Sequence, residues 1–220
     1  MPFDPRHQFR ALTPPASLLL VHGAGSGPWV YDDWPAAFPT LRVEAVDLQE
    51  GFPVEQASMG TYAERVAGAA RGLPGSVAVC GWSMGGLVVL LAAAAVQPHS
   101  VILLEASAPA EVQGSDPEVR LVVGAFDPEA EYGAFPDGIP ARPESLLARA
   151  ERKRGLSVPS LPCPSLVIAG ADFPVERGRS LAGLYGSQLV EFPELGHFDL
   201  VLAAAPRRAI ATFLGVPTKP

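Results

Sequence analysis

Ser83 lies in Gly81-Trp82-Ser83-Met84-Gly85, a G-x-S-x-G spacing. A serine hydroxyl is a poor nucleophile at neutral pH and needs a neighbouring base to take its proton. His197, in Glu194-Leu195-Gly196-His197-Phe198, stands on a glycine-preceded loop late in the chain and is the candidate base. Such a base needs a carboxylate behind it to fix its tautomer and stabilise its cation. Asp172, which follows the apolar run Pro164 to Ala171, and Glu105, in the run Ser100 to Ser107, compete for that role. The chemistry these residues describe is attack on a carbonyl. The oxyanion that forms needs preorganised N–H donors, and a helix beginning at Met84 offers one.

These groups work only if the elements around them hold them together. Val77-Ala78-Val79-Cys80 reads as a buried strand and Leu87 to Val96 as a buried helix. A strand–turn–helix passage puts Ser83 on a tight turn, and the flanking glycines let backbones pass where a Cβ would clash. Ser17 to Val21 is a second buried strand, running into His22-Gly23-Ala24-Gly25-Ser26-Gly27. Trp29 to Phe38 predicts a helix, and Arg42 to Leu48 a strand whose Asp47 caps the following loop. Thr61 with Glu64 has capping-box spacing for a helix running to about Arg71. Further strands are expected at Ser100 to Ser107, Pro164 to Ala171 and Ser187 to Phe192. A last helix is expected over Leu200 to Phe213, broken or kinked at Pro206.

Strands alternating with helices predict an α/β fold, a mostly parallel central sheet flanked by helices on both faces. The chain reads as a single domain, 1–220. Residues 108–160 break the alternation with many Pro, Gly and acidic residues. They predict a small cap or lid inserted in the domain, with helical stretches over Glu118 to Val123 and Glu144 to Arg154. Arg149 to Arg154, RAERKR, reads as a solvated helix end. Residues 1–16 read as a tail or one edge strand.

Composition narrows the partners. The chain is 48% hydrophobic with net charge −7, which suits a globular protein and argues against nucleic acid as a general partner. Its longest apolar run, Leu87 to Val96, falls short of the ~20 residues that span a bilayer, and MPFDPRHQFR lacks the apolar core of a signal peptide. A cytoplasmic protein without a membrane partner is expected. Cys80 and Cys163 are expected reduced and inert. No Walker loop, dinucleotide fingerprint or metal-ligand cluster occurs in the sequence, so neither a metal nor another cofactor is expected.

Three positions, the His22-Gly23 loop, the turn at Ser83 and Gly196-His197, resemble the α/β-hydrolase family, and the likeness runs from Leu18 to Phe213. The resemblance implies a catalytic triad of Ser83, Asp172 and His197 in the family's chain order, nucleophile, acid, base. It also implies that the oxyanion hole combines the Met84 N–H with one from the His22-Gly23 loop. That donor is Ala24, with Gly25 the near alternative. Relatives commonly read Gly-x-x-Asp at the acid, whereas here Asp172 comes one place early and Phe173 stands at the expected position. Glu105 is the alternative acid, since some relatives carry it one strand earlier. His22 reads as a structural loop residue. The activity implied is cleavage of small-molecule carboxylic esters through an acyl-enzyme. A lactonase, a C–C bond hydrolase or a cofactor-free haloperoxidase would keep the same triad, and a non-catalytic small-ligand sensor is the alternative from another class. The His22 to Gly25 stretch with Trp29 is also similar to plant methylesterases and hydroxynitrile lyases. The lyases rely on an active-site lysine, and neither Lys153 nor Lys219 lies in a matching motif.

Overall fold

The structure is a computed structural model and describes residues 13–219; the expected N-terminal tail or edge strand lies for the most part outside them. The apolar runs become the strands β1 (Ser17–Val21), β2 (Arg42–Val46), β3 (Val77–Trp82) and β4 (Ser100–Leu104). The two-residue strands β5 (Ala125–Phe126) and β6 (Glu144–Ser145) follow, then β7 (Ser165–Ala169) and β8 (Gln188–Glu191). Six of them form one parallel sheet in the order β2-β1-β3-β4-β7-β8, while β5 and β6 pair antiparallel apart from it. Register is set by whole runs, Leu18 opposite Ala78 and Val43, and Cys80 opposite Ile102.

The helices are α1 (Trp34–Ala37), α2 (Met59–Gly72), α3 (Met84–Val96), α4 (Ala110–Gln113), α5 (Pro128–Tyr132), α6 (Leu146–Arg154), α7 (Val175–Tyr185), α8 (Asp199–Leu202) and α9 (Ala204–Leu214). Because strand side chains alternate faces, one parallel sheet feeds two cores. Leu19, Val21, Val79, Val101 and Val167 pack beneath α2, α3 and α7. Leu18, Leu20, Ala78, Cys80, Ile102 and Ile168 pack against α1, α8 and α9. The sheet is therefore an α/β sandwich with helices on both faces.

Outside residues 108–160, three expected helices come out differently, for local reasons. Trp29 to Phe38 does not form one helix but a 3-10 turn at Pro28–Tyr31 and the short α1. A continuous helix would drive the Pro35 ring into the Tyr31 carbonyl. Pro206 acts likewise four residues back. The chain breaks at Ala203, extended at φ −77° and ψ 153°, so that Pro206 falls in the first turn of α9. The capping box of α2 is one turn earlier than expected, with Ser58 accepting from the Thr61 N–H at 3.0 Å.

After β2 the chain crosses β1 to reach β3, so order reverses between these two neighbours. The loops leaving their C-terminal ends part there and open a crevice. Between β4 and β7 the chain makes a long excursion that carries α4, α5, α6 and the β5–β6 pair. The expected stretch Glu118 to Val123 is not helical, while the second becomes α6, begun by Ser145 accepting from the Ala148 N–H.

Candidate active site

Ser83 joins β3 to α3 with φ 56° and ψ −123°, a conformation rare for any residue but glycine. Such an outlier costs on the order of 1–3 kcal/mol and persists where its surroundings over-determine it. Here they do: its N–H donates to the Leu104 carbonyl at 3.0 Å, and its own carbonyl accepts from Gly86 and Ser107. Gly85 is required because a Cβ there would stand 2.3 Å from the Val21 carbonyl oxygen. Although Ser83 is the N-cap of α3, its side chain makes no capping bond. Among the described residues its hydroxyl has no hydrogen-bond partner.

His197 enters the same cavity from the loop after β8. Trp82, the residue before Ser83, donates its indole N–H to the His197 carbonyl at 3.0 Å. The imidazole is packed between the rings of Trp82 and Phe173, each centroid 4.9 Å away. Its Nδ1 donates to Glu105 Oε2 at 2.6 Å, leaving Nε2 as the nitrogen able to take a proton. No hydrogen bond joins Nε2 to the Ser83 hydroxyl among the described residues. Catalytic hydrogen bonds are often long until substrate closes the site.

The expectation that Asp172 holds the imidazole is corrected here. Its Oδ2 accepts the backbone N–H of His197 at 2.6 Å, and the ring is bonded to Glu105 instead. The reason lies in the short loop after β7. Glu105 is 5% exposed at the end of β4, where it too has positive φ, 39°. Its second oxygen takes the Phe173 N–H at 3.1 Å. That bond draws the loop down onto Glu105 and carries the preceding Asp172 past the ring to the backbone. Gly170 makes the seat, since a Cβ there would lie 3.0 Å from Glu105 Oε1 and 2.8 Å from the Leu195 carbonyl.

Met84 and Ala24 are the candidate oxyanion donors. Met84 begins α3, and Ala24 lines the cavity from the loop after β1. Neither N–H has a partner among the described residues. The alternative, Gly25, is committed: its N–H donates to Glu144 Oε2 at 3.1 Å. Glu144 belongs to the excursion and is wholly buried. It also accepts from the Tyr62 hydroxyl at 2.6 Å and from the side chain of Gln49. Burial and that carboxylate push the Tyr62 phenol well above its ordinary range, so it remains a donor. Two residues earlier, Arg142 bonds the Gly25 and Ser26 carbonyls and both carboxylate oxygens of Asp47. His22, fully buried, accepts the Leu48 N–H on Nε2 and bonds the Gly23 carbonyl through Nδ1, a loop-building role. A strap from Arg142 to Glu144 thus fastens the loop that presents Ala24.

The cavity holds about 460 Å³. Ser83, His197, Ala24 and Asp172 share its walls with Trp82, Phe173, Phe198, and Tyr132 to Phe135 of the excursion. Among the described residues no group of three or more His, Cys, Asp or Glu side chains is placed to hold a metal ion, and no helix is long and apolar enough to cross a membrane.

A profile of the alpha/beta hydrolase family matches residues 18–213. The chain belongs to that family. Solved structures of the hydrolase fold are similar at low identity. The type II thioesterase BorB from the borrelidin biosynthetic cluster is 21% identical with TM-score 0.65, over 96% of this chain and 97% of that one. A pyrethroid hydrolase from Sphingobium faniae is 20% identical with TM-score 0.63, over 92% and 98%. A lipase-esterase related protein from Clostridium acetobutylicum is 18% identical with TM-score 0.63, over 90% and 93%. At these identities the likeness speaks for the fold. No curated protein sequence matches the chain. Membership of the family supports hydrolase chemistry and leaves the substrate open.

Proposed function

We infer that this protein is a serine hydrolase that cleaves carboxylic esters of small molecules through an acyl-enzyme. The observation that carries the reading is the pairing of a strained, uncapped Ser83 with an imidazole whose Nδ1 is held by the buried Glu105, in one cavity. Ser83 attacks the ester carbonyl as His197 Nε2 takes its proton. Glu105 keeps the proton on Nδ1 and stabilises the imidazolium. The Met84 and Ala24 N–H groups receive the oxyanion, helped by the N-terminus of α3. His197 then protonates the departing alcohol; the same base next takes a proton from the water that attacks the acyl-enzyme, and returns it to the Ser83 oxygen as the carboxylic acid leaves. Residues 108–160 serve as a small cap, supported by the wall that Tyr132 to Phe135 contribute.

A fluorophosphonate probe should label wild-type protein and fail on Ser83→Ala. That variant should keep its circular dichroism while losing p-nitrophenyl ester turnover by several powers of ten, up to on the order of 10⁶ in kcat where a triad acts as a unit. Unlabelled wild-type protein would favour a ligand sensor, and ester turnover surviving in Ser83→Ala would end the reading.

A further inference from the structure

The basic run Arg149 to Arg154 does not behave as one solvated helix end. Glu131 on α5 pairs with both Arg149 and Lys153. Arg152, between them in sequence, forms no ion pair with Glu131 among the described residues and lines the Ser83 cavity. It makes no salt bridge among the described residues. Its one side-chain hydrogen bond there reaches a hydroxyl, that of Tyr132, at 3.4 Å. Its Nε is buried and has no partner among the described residues. The rest of the wall near it is aromatic and small, Tyr132 to Phe135 with Phe173 and Phe198. The one acidic residue of that wall, Asp172, is engaged by the His197 N–H. Lys153 has its ammonium pKa lowered by burial and by the repulsion of Arg149 and Arg152, as expected where positive charge is in excess.

A guanidinium that lines a cavity and has no carboxylate partner among the described residues is well matched to an anion that arrives with the ligand. We propose that the substrate carries an anionic group, a carboxylate or a phosphate, away from its scissile ester, and that Arg152 binds it. The proposal deepens the reading of the Ser83 cavity as the substrate site and rests on it. The aromatic walls take the apolar body of the acyl or alcohol part, and Arg152 fixes which end points outward. Neutral esters then react without that anchor.

Three probes of one shape separate the charge from the body: 4-phenylbutyrate, 3-phenylpropyl phosphate and the neutral 4-phenylbutanamide. Their affinities are measured by calorimetry on wild-type protein, Arg152→Gln and Arg152→Lys. At least one anion should bind wild-type protein on the order of tenfold tighter than the amide, the size of one charge-assisted hydrogen bond. The tighter anion identifies the group. Arg152→Gln should level the probes, and Arg152→Lys should keep part of the difference, because it retains charge without the fork. Equal affinity in wild-type protein, including no measurable binding of any probe, overturns the proposal; so does a preference that survives Arg152→Gln. Fluorophosphonate labelling reads Ser83 separately. Anion preference in a protein that does not label upholds Arg152 and sinks the hydrolase reading instead.

Discussion

Glu105 and Asp172 divide the work that the family resemblance assigned to one aspartate. Glu105 touches the imidazole ring, and Asp172 touches the peptide that carries it. Glu105→Gln keeps the side chain's shape but can favour the wrong tautomer, so kcat should fall by on the order of 10⁴. Asp172→Asn loses a charge-assisted bond to a backbone N–H and should cost about tenfold, the equivalent of ~1.4 kcal/mol. Steady-state kinetics on both variants checks the order, and an Asp172→Asn loss larger than that of Glu105→Gln would return the ring to Asp172. Ser83 and His197 were legible because their spacing is tied to a strand–turn–helix and a glycine-preceded loop. The carboxylate was not, since two strand ends present acids to one ring and a single N–H, that of Phe173, decides which stays. Trp82 was equally hidden: its motif position fixes no side chain, yet its indole and ring hold His197.

At the scale of elements, buried strands were readable as uninterrupted apolar runs, whereas short helices were not. Pro35 and Pro206 act on the carbonyl four residues before them, so each break falls ahead of the proline itself. The strap from Arg142 to Glu144 left no sequence signal, because its partners, backbone groups and side chains alike, lie 82 or more residues away. Its ion pair gives a pH prediction. His22 and Arg142 hold the Asp47 carboxyl well below the usual carboxylate range, against the opposing effect of burial. His22 Nε2 already accepts the Leu48 N–H, so the guanidinium is the cation that matters. A lowered folded pKa contributes stability that is complete above the unfolded aspartate value of ~3.9 and is lost as pH falls toward the folded one. Arg142→Ala should lower the thermal midpoint at pH 7 by the equivalent of about 1 kcal/mol, the pair being partly solvent-screened, and flatten the fall in midpoint below about pH 4. Thermal scans from pH 3 to 7 measure both, in steps of about half a unit across the aspartate range; an acid slope identical in the two proteins would remove the ion pair from the account.

For the molecule as a whole, the parallel pairing follows from the alternation of strands with helices, and the order reversal between β1 and β3 puts the crevice where Ser83 lies. The size of the site was beyond sequence reasoning, since it depends on how α5 and α6 fold back. A cavity of about 460 Å³ stands low in the range of ~300–1,000 Å³ used by small-molecule sites. A buried methylene is worth ~0.8 kcal/mol, and methylenes beyond the walls stay wet. Acetate to butyrate p-nitrophenyl esters should therefore exceed laurate in kcat/KM, and an optimum at laurate would mean a groove that continues past the aromatic walls. The strap adds a constraint on how this architecture can change. An insertion between two strands is ordinarily an exchangeable cassette, free to be traded for another without touching the parts that do the chemistry. Here Glu144 consumes the Gly25 N–H and Arg142 grips its carbonyl, so the insertion also decides which amide of the β1 loop stays available. A foreign cap grafted onto this body would have to bring its own carboxylate to that spot, or the graft would change the enzyme's catalytic competence along with its substrate range.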